Sequence, residues 1–109
     1  INRHLFEWVI ENLIRNSLDA MGEKGLIMTS LYKKSGSIHV DLSDTGKGIA
    51  SGKFKEIFKP GYSTKKRGWG LGLSLAKRII EEYHGGKIFV KESRLNQGTT
   101  ISIELPQTD

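Results

Sequence analysis

The sequence has 109 residues, 37% hydrophobic and 27% charged, with a formal net charge of +5, the proportions of one soluble globular domain rather than two. It contains no cysteine, which excludes a disulfide framework, a zinc–thiolate site and a cysteine nucleophile. No apolar run approaches the ~20 residues of a membrane span, nothing at the start reads as a signal peptide, and the basic balance suits phosphate ligands as well as nucleic acid.

Residues 5–21 carry Phe6, Val9, Ile10, Leu13, Ile14, Ala20 and Met21 at helical spacing, which predicts a long amphipathic helix closed by Gly22 and Gly25. Residues 26–32 predict a strand, 33–37 a hairpin turn containing Gly36, and 38–43 a second strand. In that strand Ile38, Val40 and Leu42 share one face, and His39, Asp41 and Ser43 the other. Residues 44–67 are polar and lysine-rich, with one short helical patch at 54–58. Seven of the thirteen glycines fall between Gly46 and Gly72. A second helix is expected over 72–83, with Leu73, Ala76, Ile79, Ile80 and Tyr83 facing inward and Gly85-Gly86 stopping it. Strands at 88–92 and 99–105, joined by a turn over 94–98, complete the fold, and Pro106 closes it. The pattern predicts an α+β, two-layer α/β sandwich over 1–109: a mixed, mostly antiparallel sheet with helices packed on one face. The loop between Asp44 and Gly72 is long for so small a domain, and such loops are usually functional or disordered.

Three constellations carry chemistry. On the first helix Asn12, Asn16 and Asp19 fall within roughly a 60° arc, on a shoulder between the apolar face and the wet face of Glu7, Glu11 and Arg15. These are either a half-exposed polar margin or a set of oxygens aimed at a metal or ligand. Asp44-Thr45-Gly46-Lys47-Gly48-Ile49 follows the second strand, and Asp44 continues the inward parity of Leu42. A carboxylate there needs a donor, and the segment also fits an Asx-type turn. Gly68-Trp69-Gly70-Leu71-Gly72-Leu73 opens the second helix, where free backbone N–H groups attract anions, with Lys65, Lys66 and Arg67 just before it. No strand directly precedes these glycines, against a Rossmann site. Lys47 and Phe54 stand where a Walker loop needs Gly and Ser or Thr. His4, His39 and His84 show no metal-ligand spacing.

In this order and spacing the three resemble the ATP-binding catalytic domain of sensor histidine kinases, in the Bergerat-fold superfamily that includes gyrase, Hsp90 and MutL. Residues 12–20 resemble the N box, 44–49 the G1 box, 54–66 the F box and ATP lid (lid approximately 54–70) and 68–73 the G2 box; Gly98-Thr99-Thr100 resembles the opening of the closing strand. The resemblance implies ATP and Mg²⁺ as ligands. Asn16 would coordinate the metal, with Asn12 one turn away on the phosphates or the metal's waters. Asp44 would accept the adenine amino group, with Gly46 and Gly48 passing close to the base and Ile49 beside it. Thr99, which shares strand parity with Ile101 and Ile103, is expected as a second adenine contact, through water. Tyr62, Ser63, Thr64, Lys65 and Lys66 of the lid and Gly68, Gly70, Leu71, Gly72 and Leu73 would surround the phosphates. Asp19 is expected in a solvated or metal-water contact. Trp69 departs from a position that is commonly small. The family's short strand ahead of the first helix has almost no room before Ile1 and is expected to lie outside this sequence.

The superfamily's hydrolases place a glutamate one turn before the metal asparagine, to activate water. Here that position is Asn12, which is no base, and Glu11 is rotated about 100° toward solvent. The resemblance therefore implies little hydrolysis and transfer of the γ-phosphoryl group to a histidine on a separate dimerisation and phosphoacceptor domain of the same protein. A response regulator would lie downstream, with no contact of this domain with nucleic acid or membrane, and a cytoplasmic location. The acceptor histidine is followed by an acidic residue in the family, whereas His4, His39 and His84 precede Leu5, Val40 and Gly85, so self-labelling is not expected. A non-catalytic nucleotide-sensing module and an ATPase or anti-sigma-type serine kinase of the same superfamily are the competing readings.

Overall fold

The computed structural model describes residues 3–22, 24–59 and 72–106. Helix α1 (Arg3–Met21) ends at Gly22, whose φ of 70° is the left-handed value a glycine cap supplies. Strands β1 (Ile27–Lys34) and β2 (Ser37–Asp44) form a hairpin about Ser35 and Gly36. Both turn residues have positive φ, 52° and 79°, the primed geometry that matches strand twist. A single 3-10 turn, Glu56–Phe58, stands in place of the helical patch expected at 54–58. Helix α2 (Gly72–Arg78) runs into a π turn (Ile79–Tyr83) rather than continuing as α-helix. Strands β3 (Lys87–Arg94) and β4 (Gly98–Pro106) form the second hairpin.

The strand order is β1-β2-β4-β3, and every pairing among the described residues is antiparallel. The second hairpin thus docks on the first through β4, with no parallel strand needed. One face of the sheet is apolar: Leu42, Ile88, Val90, Ile101, Ile103 and Leu105 pack beneath Val9 and Leu13 of α1 and Ala76, Ile79 and Ile80 of α2 and its π turn. Ile57 and Phe58 of the 3-10 turn join the same core. Each such side chain, fully buried, contributes roughly 1.5–3 kcal/mol, so the layer of helices is held by apolar area rather than by helix propensity.

Among the described residues the opposite face carries no helix and is closed by a polar cluster instead. Asp41 is 8% exposed and Ser102 1%. Asp41 Oδ1 accepts from Ser102 Oγ (2.7 Å), and Oδ2 from Lys91 Nζ (2.8 Å) and Tyr32 Oη (3.1 Å). The four residues come from four strands, so the cluster ties β1, β2, β4 and β3 together. His39 stacks on Tyr32 with ring centroids 5.0 Å apart. Burial pulls the Asp41 pKa upward, but the hydrogen bonds from Lys91, Ser102 and Tyr32 outweigh it and hold the carboxyl below its ordinary 3.8. A group whose folded pKa is depressed contributes stability that is present above the unfolded value and lost as pH falls through the folded one. Asp41→Asn is therefore expected to lower stability at pH 7 by about 1–3 kcal/mol and to flatten the loss of stability below about pH 4. Urea unfolding of both proteins from pH 7 to pH 3 checks this.

Candidate functional site

The register of β2 on β4 sets Asp44 directly opposite Thr99 at one end of the sheet, on the face that carries the helices. Asp44 is half-buried, and its Oδ1 accepts from the Gly46 N–H (2.9 Å). The Asx-type turn and the inward carboxylate are thus the same feature: the turn fixes the carboxylate through one oxygen. Among the described residues, Oδ2 takes no hydrogen bond.

The loop that follows is sewn to its surroundings by backbone. Lys47 N–H donates to Ala20 O at the end of α1 (3.0 Å), and Asn96 N–H of the β3–β4 turn donates to Lys47 O (2.8 Å). These contacts decide why glycines stand here. A Cβ on Gly46 would come within 2.8 Å of the Ala20 carbonyl, and one on Gly48, at φ 76°, would strike the Arg94 carbonyl oxygen. The close approach expected between these glycines and a base is matched by a close approach to the protein itself. Ile49 is half-buried and packs against the core.

Thr99 is 8% exposed, and its Oγ1 lies 2.7 Å from Ser93 Oγ. Ser93 Oγ also accepts from Ile49 N–H (2.7 Å) and donates to Gly98 O (3.0 Å). A serine has one hydroxyl proton, so with that proton on Gly98 the Thr99 hydroxyl donates to Ser93 and keeps only acceptor capacity. Ser93 is the residue that sequence reasoning missed. Strand parity counted from Ile88 and Val90 turns Ser93 outward, but a bulge between Val90 and Glu92 shifts the parity and turns it in to pair with Thr99. An open depression of about 480 Å³ at this end of the sheet touches Asp44, Ser93, Gly98 and Thr99, but Met28, Ser43, Glu92 and Thr100 line it from the face opposite the helices, so it is not a cavity under them.

The amide stripe lies on α1. Asn12 is 6% exposed, and among the described residues its Nδ2 is buried without a hydrogen-bond partner. Gly72, at the start of α2, faces it: a Cβ there would lie 2.7 Å from Asn12 Oδ1. The first glycine of α2 thus leaves room for the amide, a role separate from offering its N–H to an anion. Asn16 is half-buried and Asp19 exposed. Leu73 packs against the core. Among the described residues no group of three or more His, Cys, Asp and Glu could hold a metal ion. Tyr62, Ser63, Thr64, Lys65, Lys66, Gly68, Trp69, Gly70 and Leu71 lie outside the described residues. The described start of the expected lid is a core anchor: Ile57 and Phe58 are buried, and Lys77 Nζ sits 5.9 Å from the centre of the Phe58 ring.

An inward carboxylate clamped by a glycine turn, a partnered threonine opposite, and a buried unpaired amide at a helix–helix seam make a site for a polar ligand carrying hydrogen-bond donors and acceptors. The chain belongs to the family of histidine kinase-, DNA gyrase B- and HSP90-like ATPases, whose sequence profile matches residues 2–109. It is 37% identical over 98 residues to the sensor histidine kinase ZraS of Escherichia coli (strain K12), which covers 90% of this chain and 21% of that protein. It superposes on the catalytic domain of the histidine kinase ThkA with a TM-score of 0.85 at 36% identity, covering 98% of this chain and 69% of that one. ThkA in complex with the response regulator TrrA matches with a TM-score of 0.81 at 31% identity, over 98% of this chain and 30% of that one. The α+β fold and the ATP-binding histidine kinase catalytic type are those of these relatives, and the chain spans about a fifth of the length of the curated relatives it matches.

Because the Asn12 amide is buried with an unpaired donor, it works against folding. Asn12→Ala is expected to leave thermal stability unchanged or raised, within about 1 kcal/mol, whereas Val9→Ala one turn away costs about 1–3 kcal/mol. Gly72→Ala is expected to cost about 1–3 kcal/mol by overpacking, and most of that should return in the Asn12→Ala/Gly72→Ala double variant. Denaturant unfolding of the four proteins alongside wild type measures each term.

Proposed function

We propose that this domain holds Mg-ATP and presents its γ-phosphoryl group to a histidine on a separate dimerisation and phosphoacceptor domain of the same protein, which in turn supplies a response regulator. The observation that carries the reading is the Asp44 carboxylate: one oxygen is fixed by Gly46, and the other is left for a donor such as the adenine amino group. Thr99 and Ser93, opposite, support it. With its proton on Ser93, Thr99 serves an adenine ring nitrogen through a water that donates to both.

On this reading Asn12 and Asn16 face the triphosphate, and Asn12 Nδ2, unpaired among the described residues, donates a hydrogen bond to a phosphate oxygen. The donor set suits magnesium, which takes one or two protein oxygens and keeps phosphate and water for the rest, with Asn16 as the protein ligand. When bound, magnesium would neutralise charge on the β- and γ-phosphates. Lys65 and Lys66 of the lid, with Gly68 and Gly70, would complete the phosphate site. The acceptor histidine nitrogen then displaces ADP at the γ-phosphorus. Asn12 cannot take a proton from water, so hydrolysis competes poorly. We place this work on the cytoplasmic side, where ATP is supplied. No described helix is long and apolar enough to cross a membrane.

Asp44→Ala is expected to weaken Mg-ATP binding roughly 10- to 100-fold, the loss of one charge-assisted hydrogen bond, with little change in thermal stability. Calorimetric titration of wild type and variant with ATP and ADP measures it; equal affinities would remove the reading. The same chain incubated with γ-labelled ATP should release phosphate slowly and carry no label itself. Stable label on the chain would show an acceptor within it and reject the separate-domain reading.

A further inference from the structure

Around Asp44 the protein spends its own hydrogen-bond donors internally. Gly46 N–H is held by Asp44 Oδ1 (2.9 Å), Lys47 N–H by Ala20 O (3.0 Å) and Ile49 N–H by Ser93 Oγ (2.7 Å). Thr99 faces Asp44 in the register, and its Oγ1 lies 2.7 Å from the same Ser93 oxygen. Ser93 Oγ is also 3.0 Å from Gly98 O, a carbonyl oxygen that can only accept. The Ser93–Thr99 contact allows two proton arrangements, and the Gly98 contact decides between them. With the Ser93 proton on Thr99, two oxygens would face each other at 3.0 Å with no proton between them. With it on Gly98, Ser93 accepts from both Ile49 and Thr99, and all three contacts are hydrogen bonds. The serine hydroxyl is then saturated, and the Thr99 proton is directed at Ser93. Asp44 Oδ2 and Thr99 Oγ1 remain as acceptors. Arg94, the next residue on β3, projects to the opposite face by strand alternation and brings no donor to this one.

We infer that Ser93 is a positioning residue that sets base specificity against 6-oxopurines, an inference that rests on the proposed function. By absorbing the Ile49 and Thr99 protons, Ser93 leaves a site whose ligand must bring its own donors. A 6-aminopurine brings them. A 6-oxopurine sets an acceptor against the Asp44 carboxylate. Its N1–H can serve Asp44 if the base shifts, but O6 then still needs a donor, and the loop N–H and the threonine hydroxyl that stand nearest are already taken. Asp44 therefore attracts the right base, while Ser93 withholds the protons that would accommodate the wrong one, and specificity draws on both. Ser93 acts through Thr99 and Ile49 rather than on the base. Alanine in its place would leave the Ile49 N–H and the Thr99 hydroxyl without their acceptor, and a ligand oxygen, with or without an intervening water, would satisfy them.

Calorimetric titration of the full-length protein with Mg-ATP and with the magnesium complex of inosine triphosphate, its 6-oxo counterpart, provides the test. Wild type is expected to favour ATP by at least ~100-fold. Ser93→Ala is expected to cut that preference roughly 10-fold, in part through a gain in affinity for the 6-oxo nucleotide. Ser93→Thr, which keeps the hydroxyl, should restore the wild-type ratio. Adding Thr99→Val to Ser93→Ala removes the freed hydroxyl proton and should recover part of it. Ser93→Cys, close in shape but a weak acceptor, should shift the ratio in the same direction as alanine, and it carries the comparison if the alanine variant does not fold. A serine with a structural role alone would weaken both nucleotides together. A ratio that stays within about twofold of wild type in Ser93→Ala or Ser93→Cys therefore overturns the inference and leaves the proposed function standing. A ratio that Ser93→Thr leaves at the alanine value overturns it as well. A wild-type protein that binds neither nucleotide overturns the proposed function and this inference together.

Discussion

Everything at the candidate site depends on the pairing of β2 with β4. That register sets Asp44 across from Thr99 and at the same time stacks Leu42, Ile101, Ile103 and Leu105 into the face that carries the helices. Slipping it by one residue would turn the apolar set to solvent and carry Asp44 with it, so the burial that stabilises the sheet also fixes the carboxylate. The opposite face reinforces the same register by different means. Asp41 reaches Ser102, Lys91 and Tyr32, and only the observed alignment brings those partners from the other strands. An apolar layer on one side and a charge-centred cluster on the other hold one alignment.

The segment after Asp44 shows how a binding loop is held without regular structure. Its backbone is bonded to the end of α1 on one side and to the β3–β4 turn on the other, and its glycines allow both approaches. A loop fixed this way costs little further entropy when a ligand meets it. Ser93 extends the same frame, since one hydroxyl joins the Ile49 N–H, the Gly98 carbonyl and Thr99. Thr99 is therefore positioned by a residue from a third strand.

Much of this was legible in the sequence because the signals were periodic. The 3.6-residue spacing on α1 and the alternation on β2 and β4 placed the layers, and the same alternation put Asp44 and Thr99 on one face. Three features were not legible, each for a local reason. The bulge at Val90/Glu92 breaks the alternation on β3, so parity carried on from Ile88 and Val90 does not bring Ser93 to the inner face. The π turn at Ile79–Tyr83 has residues that also fit an α-helix, and its wider winding accompanies tertiary contacts: Ile79 and Ile80 are both buried, and the Gly86 N–H closes on Ile80 O (2.9 Å). The polar cluster on the open face was hidden because Asp41, one of the outward residues of a half-buried strand, gives no sign that Lys91 will reach it across β4.

The unpaired amide of Asn12 separates stability from function at this site. Buried donors are almost always satisfied, and a buried Asn facing a glycine on the next helix could be replaced by Ala with gain to the folded chain. The cost is set by its neighbours, since those from Val9 and Leu13 to Ala76 are apolar and offer the donor no partner among the described residues. On the proposed function that cost would become useful when a phosphate oxygen arrives, because the donor is already desolvated and oriented. The same logic explains why the stripe on α1 is not apolar throughout. Leu5 and Trp8 at one end present apolar surface, and the amides at the other end present hydrogen-bonding groups. One helix can then register the two against each other, since residues on it rise by a fixed ~1.5 Å each.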